Sequence, residues 1–459
     1  MLRSDFRFLL TFPLLMRSLI RTYSLLVASL LFIAGLAHSA LGQKAPGRQG
    51  TFAITGARIV PVTGDVIDSG TLVIRADTIA ALGANVQAPS DAEIIDGSGL
   101  TVYPGLIDSG TRLGLVEVGS LEETRDYSEI GDLTPQMKAL TAVNPNSVNI
   151  PVTRVNGITS VITAPSGGLF PGTAALIDLH GYTPAQMHHG GVEMIVLDFP
   201  STGRRGRFDQ RSTEDIEKAS KKALDKLDEV WDEAALYARI DSAQAAGAGS
   251  RTDMDYVPAM QALVPAVRGE MPVVIDANSA DDIRAALEWA AERGITDQVI
   301  LSGASEGWRV ASEIAEAGVP VLTGPVLSVA TRESDRYDKP YANAGLLHDA
   351  GVQVALRTGE AENVRNLPYH AGFAAAYGLG KDEALRAVTI EPARIFGVDD
   401  RLGSLEVGKQ ANLFVTDGDP FETKTSVLYL FIDGYNIPVE SRHTKLYQEF
   451  LNRNPGLNE

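Results

Sequence analysis

A chain of 459 residues, 44% of them hydrophobic, is long enough for a sizeable core and predicts one large domain plus a smaller one. Its formal charge of −18 argues against electrostatic binding to nucleic acid or anionic membranes, because phosphate contacts need clustered Lys and Arg. Zero cysteine excludes disulfides, thiolate nucleophiles and Cys-ligated zinc or iron-sulfur clusters, and seven histidines leave little for imidazole chemistry.

In chain order, residues 1–42 read as an export signal. Arg17 and Arg21 precede an apolar run from Leu25 to Leu36, then small residues from Ala37 to Gly42. The run is shorter than the roughly 20 residues that span a bilayer, so no stable membrane span is expected after cleavage. The predicted location is periplasmic or extracellular. Residues 43–102 run in short β-rich pieces, Phe52 to Val60, Thr71 to Arg75 and Ile79 to Leu82, separated by Gly, Asp, Asn and Pro. A matching β-rich patch at 401–440 predicts one small β-sandwich built from both chain ends, with 441–459 as a C-terminal tail.

Residues 103–400 alternate strand-like runs with amphipathic helices, which predicts an α/β domain with a parallel sheet. The strand candidates are Gly105 to Asp108, Ile158 to Thr163, Ala174 to Leu179, Met194 to Phe199, Val273 to Asp276, Val299 to Ser302, Val319 to Thr323 and Val352 to Leu356. Eight strands suit a (β/α)8 barrel. Helices are clearest at Ser279 to Arg293, Glu306 to Ala317, Asn366 to Tyr377 and Asp382 to Thr389. A longer one, Thr213 to Ile240, places Ile216, Leu227, Val230, Ala234 and Tyr237 on one face. The Gly-rich stretch Ala243 to Asp255 reads as a mobile loop, and Pro165 to Gly172 as a loop over the active face.

The run Val102-Tyr103-Pro104-Gly105-Leu106-Ile107-Asp108 resembles the lead into the first barrel strand of the amidohydrolase superfamily. Ala384 to Arg394 is similar to that family's last barrel helix, and Gly403 to Leu413 to its return into the sandwich; the pattern is nearest the imidazolonepropionase-like members. The resemblance implies a (β/α)8 barrel with a small β-sandwich, and hydrolysis of C–N bonds in small molecules with zinc or another divalent ion. The metal would lower the pKa of a bound water and polarise a carbonyl.

The family's ligands are His-x-His after strand 1, one His after each of strands 5 and 6, and an Asp after strand 8. These positions fall here on Gly110 and Arg112, on Asp276, on Ser302 or Gly303, and on Gly359 beside Glu360. The expectation is therefore that the standard metal site is lost and no cofactor is bound. Arg112 is expected to replace the metal's charge by neutralising Asp276, Glu360 or Asp108; the alternative is an ordinary solvated arginine. Asp276 and Glu360 are the candidate catalytic carboxylates, and His180 and His370 the candidate binding residues. No HExxH or P-loop pattern is present. Two readings stay open: a hydrolase with a rearranged site, or a non-catalytic relative whose barrel mouth binds a small molecule or partner. Oligomer formation is open as well.

Overall fold

The computed structural model describes residues 47–203, 211–246 and 256–453. Residues 1–42, expected to be an export signal, and the stretch from Gly247 to Asp255 lie outside the described residues; Ala243–Ala245 before it end a helix, Thr213–Ala245.

Both chain ends build one nine-stranded sheet. Thr101–Pro104 is its keystone, pairing parallel with the N-terminal strand Thr51–Ile59 and antiparallel with the C-terminal strand Leu413–Thr416. Alternation of apolar residues turns Phe52, Ile54, Leu72, Ile74, Leu413 and Phe431 into a shared core, where Phe52 and Phe431 meet edge to face at 5.2 Å.

The eight predicted barrel strands all form, and they make a second sheet in which each pairs with its neighbours in chain order. The seam between the first strand, Leu106–Thr111, and the last, Val354–Leu356, is drawn together beyond the strand ends. Gly359 N donates to Gly110 O at 2.9 Å and Arg112 N to Glu360 O at 2.9 Å. The barrel is thus nearly closed, with helices outside.

One expectation is corrected. The third strand, Gly172–Asp178, runs antiparallel to both neighbours, Ile158–Thr163 and His188–Asp198, so the sheet is mixed. The reason is the link before it: residues 164–171, with Pro165, Gly167, Gly168 and Pro171, are too few for a crossover helix and make a hairpin instead. The other barrel strands are mutually parallel where they pair.

The outer helices follow their sequence cues. Ala280–Arg293 starts at Ser279, whose hydroxyl accepts the Asp282 N–H at 3.1 Å, and stops at Gly294 in the left-handed region, φ 68°. The long helix Thr213–Ala245 buries Leu227, Val230, Trp231 and Ala234. The C-terminal tail holds a further helix, Arg442–Asn452. Among the described residues no helix is long and apolar enough to cross a membrane.

Candidate functional site

Strand parity sets the barrel lumen. Ile107, Ile162, Ala174, Leu176, Met194, Val196, Val274, Ile300, Leu322 and Ala355 fill its middle as one apolar plug. Two residues further along, the same inward series ends in polar groups: Ser109, Asp198, Asp276, Ser302 and Arg357. With Arg112 and Ser166 they line a cavity of about 100 Å³ at the mouth.

The ion pair of the mouth is Asp276–Arg357, at 3.0 Å. Arg357 also donates to Ser302 Oγ at 2.5 Å, and Asp276 accepts from Asn278 Nδ2 at 2.7 Å. The side chain of Arg357 lies across Gly110: a Cβ at 110 would stand 3.0 Å from Arg357 Cδ. Asp198 is the register partner of Asp276 on the adjacent parallel strand. Burial pushes its carboxyl up to about 6, Asp276 pushes the same way, and the Gly167 N–H that it accepts at 2.9 Å opposes the shift.

Arg112 lies in the mouth, but its guanidinium stacks on Tyr127, 4.6 Å from the ring centroid. Among the described residues it has no carboxylate within 4.0 Å, so the expected pairing with Asp276, Glu360 or Asp108 is not the arrangement found. Tyr127 is held in turn, its carbonyl accepting the Ser166 N–H at 2.8 Å.

The other sequence candidates are dispersed. Asp108 is fully buried but has the parity opposite to Ile107 and Ser109; it accepts Thr358 Oγ1 at 2.6 Å and the N–H groups of Thr358 and Gly110 at 3.1 Å each, fastening the barrel seam. Burial pushes its carboxyl up to about 7 against those bonds. Glu360 is exposed and does not line the cavity, so Asp276 and Glu360 are not brought together there. His180 follows the reversed third strand and therefore lies at the far end of the barrel, its ring meeting Tyr435 of the sandwich at a tilt, centroids 4.5 Å apart. His370 is buried, which pushes it down to about 4, and its Nδ1 accepts the Val326 N–H at 3.1 Å. Its role there is to hold the loop after the seventh strand.

Sequence reasoning missed Asp198, Arg357 and Ser109. The available signal was parity: each stands two residues beyond an apolar lumen position, Val196, Ala355 and Ile107. Reading only the family's ligand positions gave Arg112 the charge that Arg357 carries. Among the described residues no three His, Asp or Glu side chains gather as for a metal ion.

A polar mouth on a barrel capped by a sandwich from both chain ends defines a class, the amidohydrolase fold. The solved amidohydrolase of Thermotoga maritima shares it with a TM-score of 0.72 at 23% identity, covering 84% of this chain and 99% of that one. Residues 270–437 match the Amidohydrolase family. The imidazolonepropionase of Geobacillus kaustophilus is 25% identical over 398 residues, 76% of this chain and 84% of that protein. The amidohydrolase tasK of Hapsidospora irregularis is 23% identical over 421 residues, 86% of this chain, which spans only 42% of tasK. The chain thus has the amidohydrolase fold, and its C-terminal part, residues 270–437, is similar in sequence to the Amidohydrolase family.

Proposed function

We propose that the protein is an exported hydrolase acting on a C–N bond of a small molecule, with an arginine–carboxylate pair where the superfamily holds its divalent ion. The observation that carries this reading is the position of Arg357, across Gly110 and paired with Asp276 at 3.0 Å. A fixed guanidinium there opposes a dication and uses the carboxylate that would bind one. The other ligand positions offer Ser302, Gly303 and Gly359, none of them a strong donor for a divalent ion.

Hydrolysis at such a site falls to the protein's own groups. Asp198, held near pH 6, accepts a proton from water as its oxygen adds to the carbonyl carbon. It returns that proton to the nitrogen as the C–N bond breaks, and the positive charge of Arg357, whose Nη2 is not used in its bonds to Asp276, Ser302 and Gly324, stabilises the developing oxyanion. The deprotonated base is the active form, so kcat/KM rises with pH through about 6 and levels above it. Asp198→Asn is expected to lower kcat by roughly 100-fold or more.

The second reading, a non-catalytic binder, is favoured by the pairing of Asp276 and by the exposure of Glu360 outside the cavity. The test is metal analysis of protein purified with added Zn²⁺ or Mn²⁺, alongside a Gly110→His, Arg112→His variant, together with turnover of a panel of amides and N-acyl amino acids with and without chelator. Chelator-resistant turnover supports the first reading, and none on any substrate supports the second. Stoichiometric metal in the unmodified protein overturns both.

A further inference from the structure

The mouth holds two guanidiniums in different states. Arg357 is spent on Asp276, Ser302 and the Gly324 carbonyl. Among the described residues Arg112 has no side-chain hydrogen bond and no carboxylate within 4.0 Å, and Asp198 acts on it only at longer range; its guanidinium rests on Tyr127, and its backbone N–H is bonded to Glu360 O at 2.9 Å. A guanidinium on an aromatic face keeps its N–H edge free for a planar acceptor. A second, independent feature lies in the same cavity. Ser109 is 1% exposed, on the inward face, and among the described residues its Oγ has no hydrogen-bond partner. A buried hydroxyl left unsatisfied at a cavity wall is a place for a ligand atom. Below both lies the apolar plug of Ile162, Val196, Val274 and Leu322.

We propose that Arg112 on its Tyr127 platform, with Ser109 Oγ, forms a carboxylate-receiving subsite, so that the ligand of the mouth is a small carboxylic acid with a compact apolar body. This rests on the reading of the mouth as the functional site and names its ligand class. Guanidinium also binds phosphate, but Asp198 and Asp276 in the same cavity repel a dianion more than a monoanion, and the second guanidinium is already engaged.

The experiment is calorimetric titration of the full chain with N-acetyl-alanine, its methyl ester and inorganic phosphate. The acid is expected to bind, the ester at least tenfold more weakly, and phosphate more weakly than the acid. Arg112→Gln is expected to lose about tenfold or more for the acid and little for the ester. Arg112→Lys should retain part of the affinity because it keeps the charge without the fork, and Ser109→Ala should lose a few-fold. Thermal unfolding of each variant confirms that it is folded. Equal binding of acid and ester, an unchanged Arg112→Gln, tighter phosphate binding, or no binding of the acid at millimolar concentration overturns the subsite. Acid-selective binding without turnover upholds it while removing the hydrolase reading; turnover without selectivity does the reverse.

Discussion

Asp108 illustrates how one residue can belong to a family's pattern and still have no part in its chemistry. Its carboxylate ties strand one to the segment after strand eight through two hydrogen bonds from Thr358, and accepts a third from Gly110 on its own strand. Removing it leaves two buried N–H groups without acceptors, so Asp108→Ala is expected to cost about 2–4 kcal/mol in urea unfolding. Asp108→Asn keeps one carbonyl acceptor and is expected to be close to neutral. The pH dependence separates the two effects. The folded-state pKa, about 7, is raised above the ordinary carboxylate value, so this group's contribution is fully present at low pH and is lost as pH rises through 7. Asp108→Asn should remove that slope. None of this was legible in the Pro-Gly-Leu-Ile-Asp motif, because a conserved-looking acid in a barrel strand reads the same whether it faces the lumen or the seam.

At the scale of elements, existence was easy to read and direction was not. The eight barrel runs are apolar enough to be recognised singly, but strand polarity depends on the length and composition of the link. Pro165 to Gly172 leaves no room for a crossover helix, which is what reverses the third strand. His180, a candidate binding residue, consequently lies at the end of the barrel opposite the mouth. Turns and caps were more transparent. Ser279 and Gly294 bracket their helix as the chemistry requires, and Ser279→Ala should lower stability by about 1 kcal/mol. Gly157 is a sharper case: it sits at φ 82°, and a Cβ would come within 2.8 Å of the Phe414 ring. Gly157→Ala therefore strains the backbone and disturbs the contact between barrel and sandwich. It is expected to exceed the Ser279→Ala loss in the same denaturation assay.

The two parts of the described body are joined by a buried polar knot as well as by apolar packing. Asp178, from the reversed strand, accepts Ser160 Oγ at 2.6 Å and Asn412 Nδ2 at 2.9 Å, and pairs with His189 Nδ1 at 2.8 Å. Asn412, from the C-terminal return, in turn accepts the Asp433 N–H at 2.7 Å. Ser, His and Asp meet here without forming a catalytic relay, since the serine hydroxyl is bonded to the aspartate rather than to the imidazole. Asp178→Ala strands several buried donors at once and is expected to cost about 3 kcal/mol or more, read as a lowered denaturant midpoint by both near- and far-UV circular dichroism. The knot was invisible in the sequence because its members lie up to 252 positions apart, as Ser160 and Asn412 do. The sandwich itself was foreseeable, from the return of β-rich texture at the far end of the chain.

The nesting of Arg357 against Gly110 couples what each position can accept. A side chain introduced at 110 crowds the arginine, while loss of the arginine alone leaves Asp276 without its ion-pair partner. Either single step is expected to be unfavourable, and Gly110→His with Arg357→Ser should be less costly than the sum of the two, with a coupling of about 1–3 kcal/mol. The glycine and the arginine are thus expected to form an epistatic latch, in which the cost of a side chain at 110 depends on whether the arginine is present.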